Sequence, residues 1–328
     1  MTMLALREHT HRLGLGLFAL GLAALPFLLG NDYYLTVLIV GGLNAMLTLG
    51  LCLLMGYAGQ VSLGHAAFYG LAAYTSGILT ASGRWPVPAG MAAAIGLVIA
   101  VASLIAVPTL RLKGHYLAMG TLGFGLIVYT VFNEATGLTG GPSGLTGIPK
   151  LSIAGWTPAS DRETYYLVWA VVLALFLAAQ NLVGSRIGRA LRAIHASETA
   201  AAALGVDTQR YKTAVFVLSA GYAAVAGVLY AHYVTFVSPG SFGFHASVQL
   251  VTMVVVGGMT SLGGAVAGAL FLTVLPEALR AIEDYDILIY GALLILCMMF
   301  LPGGLAEGAE RAARWIRASC RRPRERAA

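Results

Sequence analysis

The chain has 328 residues, of which 58% are hydrophobic and only 10% charged, with a formal net charge of +6. Soluble proteins carry about 25% charged residues, so this chain has too little polar surface to cover a water-exposed fold. An ordinary soluble enzyme, a disordered chain and a nucleic-acid-binding module are excluded, and the composition predicts a chain solvated mainly by lipid.

The chain opens with a polar stretch, 1–12, in which His9 and His11 read as polar flank beside Arg7 and Arg12. An apolar run at 13–30 follows without a small-x-small cleavage site, so it is read as a retained span and not a signal peptide. Further apolar runs at 34–55, 66–82, 87–109, 115–133, 164–183, 213–235 and 285–301 each have about the length needed to cross a bilayer. The stretch 247–276 is too long for one simple helix and is interrupted by Gly257-Gly258-Met259-Thr260-Ser261-Leu262-Gly263-Gly264. It is either one long broken helix or two short crossings. The fold class predicted is all-α, a polytopic membrane helix bundle of about nine to ten spans with broken helices.

With 1–12 placed in the cytoplasm, 16 of the 20 Lys and Arg residues fall on the inner side. This satisfies the positive-inside rule and favours an even number of crossings, ten on this reading. The domain division is then a cytoplasmic segment 1–12, a transmembrane domain 13–305 and a basic cytoplasmic tail 306–328. The tail's arginines read as an anchor to an anionic leaflet. Cys52, Cys297 and Cys320 show neither pairing nor metal-ligand spacing.

Three stretches stand out from the apolar background. In Gly56-Tyr57-Ala58-Gly59-Gln60-Val61-Ser62-Leu63-Gly64-His65, glycines break the helix and polar side chains sit beside a span. Such groups face a bundle interior or a pathway, or the stretch is only a tight turn whose small residues let helices approach. The pathway candidates are Gln60, Ser62, His65 and Tyr69 here, with Thr260 and Ser261 in the second broken segment. Ser62-Leu63-Gly64-x-Ala66 reappears as Ser261-Leu262-Gly263-x-Ala265, which suggests an internal repeat of the kind seen in transporter folds.

The second stretch is the basic loop 184–212, rich in helix formers. Gly205 is its expected stop, and Asp207 the expected cap of the next span. Ile187, Leu191 and Ile194 form one face and Arg186, Arg189 and Arg192 a rim. The helix either docks on a cytoplasmic partner or lies on the membrane. The third stretch is the outer loop 134–163, a succession of Gly, Pro and Ser turns that serves as a docking surface, a gate or a passive connection. His232 and His245, which flank the outer turn Ser238-Pro239-Gly240, read as interfacial or packing residues.

No catalytic constellation, metal site or phosphate-binding loop is present in the pattern, and no cofactor is implied. Span centres lack carboxylates, which weakens an ion-coupled secondary transporter. A stand-alone secondary transporter or channel nevertheless remains the alternative from a different class.

Taken together, GYAGQVSLGHAAFYGLAAYT at 56–75, TGGPSGLTGIP at 139–149, GRALRAIHASETAAAALGV at 188–206, KTAVFVLSAGYAAVAGVLYAHY at 212–233 and GGMTSLGGAVAGAL at 257–270 resemble the LivM-type permease subunits of branched-chain amino acid ABC importers. The glycine-rich outer loop favours the LivM type over its LivH-type companion. The resemblance implies a bacterial inner-membrane permease that is not itself an enzyme. Its expected partners are a LivH-like second permease, two ABC ATPase subunits and a periplasmic substrate-binding protein. It also implies that the basic loop couples to the ATPases through Gly188, Arg189, Arg192, Ala193, His195, Glu198, Ala201 and Gly205. His195 stands where the family often has Arg. Permeases for urea or short amides look similar and are the nearest alternative.

Overall fold

The computed structural model describes residues 32–83, 85–110, 112, 114–152 and 155–278, with isolated positions at 21, 25, 26, 291, 292, 295, 299, 303–308 and 311. The expected spans 13–30 and 285–301, the segment 1–12 and most of the tail lie outside the described residues. The described chain is helical, with one isolated antiparallel bridge, Leu145 to Val237.

In order, the helices are α1 (Asp32–Cys52, prolonged by a π turn over Leu53–Tyr57), α2 (His65–Ala81), α3 (Val87–Thr109), α4 (His115–Glu134), α5 (Asp161–Gly184), α6 (Arg186–Ala196), α7 (Glu198–Ala203), α8 (Thr208–Val234), α9 (Phe244–Gly257) and α10 (Leu262–Ala278). Among the described residues five stretches are long and apolar enough to cross a membrane: Asp32–Tyr57, α3, α4, α5 and α8. The interrupted stretch 247–276 resolves into two helices, α9 and α10, that pack against each other across a turn at 258–261.

Local sequence accounts for the starts of the helices from α5 to α8. Ser160 and Glu163 form a capping box on α5: the Ser160 hydroxyl accepts from Glu163 N at 3.4 Å and the Glu163 carboxylate accepts from Ala159 N at 2.8 Å. Ser185, Ser197 and Asp207 accept from the first-turn amides of α6, α7 and α8.

The core is built around α1 and α8, which are mostly buried, while α3, α4 and α5 present most of their surface outward. Lipid tails are as apolar as leucine, so close packing must supply the association between helices. Small residues permit it: a Cβ at Gly227 would overlap the Tyr69 carbonyl, and one at Gly50 would sit 2.8 Å from Tyr222 Cβ.

Two helices begin inside the bundle. His65, the first residue of α2, lies against Ser219 of α8, about 16 Å along the axis from Thr208 at 1.5 Å per residue. The start of α9 lies beside it, where Ser247 Oγ accepts from Ala66 N at 3.2 Å. Irregular backbone leading to such interior starts persists only where protein groups satisfy it.

The 134–163 loop is structured over its described residues and tied down. Leu145 and Val237 exchange backbone bonds of 2.8 and 3.1 Å. His232 is 1% exposed and joins two elements: its Nδ1 lies 2.8 Å from the Pro149 carbonyl and its Nε2 2.8 Å from Ser76 Oγ. A carbonyl only accepts, so Nδ1 donates to it and, in the neutral ring, Ser76 donates to Nε2. The packing reading of His232 is thus realised as a cross-brace. His245 is exposed.

Candidate functional site

The segment 58–64 connects the π turn of α1 to the interior start of α2. Gly59, at φ +67, turns the chain back, and Gly59 N and Gln60 N donate to Met55 O and Leu54 O at 3.1 Å each. Other helices serve the next donors: Leu63 N donates to Thr121 Oγ1 of α4 at 3.0 Å, and Ala66 N to Ser247 of α9. His65 Nε2 lies 3.3 Å from the Ser219 carbonyl and 3.0 Å from its hydroxyl, so Nε2 carries the proton in the neutral ring. That leaves His65 Nδ1 as an acceptor. His65 Nδ1, Ser62 Oγ and Gln60 Oε1 are all buried and have no hydrogen-bond partner. An unpaired buried polar atom costs about 1–3 kcal/mol, so three of them along six residues mark this segment off from ordinary packing. Tyr69 continues the same face inward, 5.4 Å from the Tyr230 ring and 5.0 Å from Phe242.

Thr260 and Ser261 are placed differently. Thr260 is exposed and its carbonyl accepts from the Tyr57 hydroxyl at 2.8 Å; Ser261 is half-buried and its hydroxyl accepts from Gly264 N at 3.1 Å, capping α10. Both belong to a turn at the end of the bundle that carries α6 and α7. The two broken segments do meet, because Gly56 abuts the Met259 carbonyl and Cys52 Sγ donates to it at 3.1 Å. Of the six pathway candidates, Gln60, Ser62, His65 and Tyr69 lie together in the interior, and the other two border the first segment from its end.

Helices α6 and α7 form a basic elbow fixed at three points. Arg189 and Arg192 donate to the Gly184 and Val183 carbonyls at 3.4 and 3.2 Å, where the negative end of the α5 dipole favours cations. Gly188 is packed so tightly on Val183 that a Cβ would overlap its carbonyl. His195 lies over Gly59, where a Cβ would stand 3.3 Å from its Nδ1. Glu198 pairs with Lys212 of α8 at 2.6 Å and accepts from Thr208. Gly205, at φ +82, ends the elbow in the left-handed region that glycine tolerates. Leu191, Ile194 and Ala201 are buried, whereas Ala193 is exposed; Ile187, grouped by the sequence with Leu191 and Ile194 on one face, is 42% exposed because it lies one residue off the 188–191–194 stripe.

Sequence reasoning missed Lys212 as the partner of Glu198, and Thr121, Ser219 and Ser247 as the groups that hold the first segment. Each is a lone polar residue in an apolar run, a weak signal because helical Ser and Thr commonly bond their own backbone. Among the described residues no group of His, Cys, Asp and Glu could hold a metal.

The chain matches the family "branched-chain amino acid transport system / permease component" over residues 33–298. It is 37% identical over 290 residues to the high-affinity branched-chain amino acid transport system permease protein LivM of Escherichia coli K12, covering 79% of this chain and 67% of that protein. It is 28% identical over 289 residues to the corresponding protein LivH of the same organism, covering 81% and 92%. The autoinducer 2 import system permease protein LsrC of Salmonella paratyphi B is 26% identical over 267 residues, covering 79% and 72%. No solved structure gives a significant match.

Proposed function

Because the chain belongs to the family of branched-chain amino acid transport permease components, we propose that it is one of two permease subunits of an ATP-driven importer in a bacterial inner membrane. Its cargo is branched-chain or related amino acids. The companion is a LivH-like permease, the energy comes from two separate ATPase subunits, and a periplasmic binding protein delivers the solute. The transmembrane domain, 13–305, crosses nine to ten times with the elbow and the tail 306–328 inside, as the distribution of arginines favours.

The observation that carries this reading is the elbow. Its inner face is fixed to α5, α8 and the 58–64 segment, while Ile187 and Leu204, at 42% and 84% exposed, project outward. An element anchored on one face, with exposed apolar side chains beside a basic rim on the other, suits docking in a groove of an ATPase. Gly188, Arg189, Arg192, His195, Glu198 and Gly205 set its shape, and Ala193 and Ala201 keep it slim. Movement of the elbow reaches Gly59 through His195, and so reaches Gln60, Ser62 and His65 directly. These orphaned groups are the inner part of the pathway: they exchange bonds with water or solute when the segment shifts.

The test is Leu204→Asp and Ile187→Asp in the chain co-expressed with its partners. The expected result is loss of ATPase co-purification, or a tenfold or greater loss of amino-acid-stimulated ATP hydrolysis, at unchanged thermal stability. Unchanged assembly together with unchanged stimulation would overturn the coupling role. ATP-independent uptake by the purified chain alone in liposomes would overturn the importer reading.

A further inference from the structure

A cavity of about 250 Å³ opens between α1, α9 and α10, with Tyr69 of α2, Tyr230 of α8 and Ser241 at its inner wall. Its lining has two characters. Val40, Leu47, Leu250, Met253 and Leu272 make it apolar, and Asn44, Gln249 and Thr273 add uncharged polar groups from three helices. Among the described residues no Asp, Glu, Lys or Arg lines it.

The polar groups are not used up by the fold. Among the described residues, the Gln249 amide and the Tyr69, Tyr230 and Ser241 hydroxyls have no hydrogen-bond partner. Asn44 Nδ2 donates to Thr273 Oγ1 at 2.9 Å, which leaves the Asn44 oxygen unpaired. Gln249 is the sharpest case, a half-buried amide in the apolar helix Phe244–Gly257. Polar side chains at membrane depth face a partner or a water-filled path, and here they converge on one space with no partner among the described residues.

We infer that this cavity is a way-station of the permeation path for a zwitterionic amino acid with an apolar side chain. The inference rests on the importer reading above and adds the site. Amide N–H and hydroxyl donors serve the carboxylate, while amide and hydroxyl oxygens accept from the ammonium group. The apolar walls take the side chain. A net-neutral solute brings no uncompensated charge into this wall, whereas a lysine or glutamate side chain finds no counter-charge among the described lining residues and bears its desolvation cost. Uncharged walls also hold the solute loosely, which passage requires.

The experiment uses the assembled importer in proteoliposomes, with leucine as the probe. Gln249→Leu and Tyr230→Phe, made singly, remove donors at nearly constant volume. In a background where Cys52, Cys297 and Cys320 are replaced and uptake is retained, Gln249→Cys is treated with a membrane-impermeant charged thiol reagent. The expected results are a tenfold or greater fall in leucine uptake for Gln249→Leu at unchanged assembly and basal ATP hydrolysis, and labelling of Gln249→Cys that saturating leucine-loaded binding protein slows. Normal uptake by Gln249→Leu with an unreactive Gln249→Cys would overturn the inference, because lipid or the second permease then fills the cavity. Absence of ATP-driven amino acid uptake by the wild-type complex would instead overturn the importer reading.

Discussion

The two Ser-Leu-Gly segments share a local sequence and are held in opposite ways. At 258–261 the turn serves its own amide donors: Ser261 N donates to Gly258 O at 3.0 Å, Gly264 N to Ser261 Oγ at 3.1 Å and Ala265 N to Ser261 O at 2.9 Å, while the Met259 and Thr260 carbonyls accept from Cys52 and Tyr57. At 58–66 only Gly59 N and Gln60 N bond back to their own helix; Leu63, His65 and Ala66 rely on Thr121, Ser219 and Ser247 from three other helices, and Gln60, Ser62 and His65 still keep unpaired atoms. The difference teaches that a turn closed on itself is scaffold, while a segment whose bonds are lent by its neighbours changes when they move. His195 of the basic elbow lies against the second kind, at Gly59.

The largest effect is expected where the two segments meet. Gly56→Val drives a side chain into the Met259 carbonyl. Backbone cannot retreat as a flexible side chain can, so a loss of about 3 kcal/mol is expected. Thermal unfolding in detergent checks it; an unchanged midpoint would show that the segments are not in contact.

A smaller loss should follow from Glu198→Gln. Lys212 is 8% exposed at its side chain and would keep its charge without its partner, but Glu198 is 32% exposed, so water relieves part of the cost. About 1–3 kcal/mol is expected, below the range for a fully buried pair. Amide exchange should rise in 198–212 and remain unchanged in 262–270. An equal rise in both would mean that the elbow is not a separate unit.

Gly59→Ala sharpens the contrast further. A φ of +67 costs a side chain about 1–2 kcal/mol, and the added Cβ presses on His195. ATP hydrolysis should lose its dependence on amino acid while the second segment stays protected. Retained coupling would disconnect the elbow from 58–64.

Much of this was legible in the sequence, for a physical reason. Runs such as 87–109 and 115–133 are uniformly apolar between glycine or charged breaks, and their helices end within a residue of those limits. Asp207 and Gly205 announce a cap and a stop by chemistry alone. Depth was not legible, because an apolar run reads the same whether its helix begins at the membrane surface or, as α2 and α9 do, inside the bundle. The glycines marked where 56–65 and 257–264 break, but not that one break is self-bonded and the other borrowed. Nor could spacing show that Glu198 faces Lys212, since that pair depends on how α7 folds back along α8.

The smallest energies give the sharpest test, because the two serines should differ in sign of effect. Ser261→Ala removes the acceptor of Gly264 N and should cost about 1 kcal/mol, the usual worth of a helix cap. Transport should be nearly normal, because the turn is scaffold. Ser62→Ala removes a buried hydroxyl that has no partner; deleting an unpaired polar atom relieves its desolvation, so stability should stay level or rise by up to about 1 kcal/mol. On the pathway role proposed for 58–64, uptake should nonetheless fall. If Ser62→Ala instead destabilises the resting protein as much as Ser261→Ala does, the hydroxyl is already bonded at rest, and the first segment is scaffold like the second.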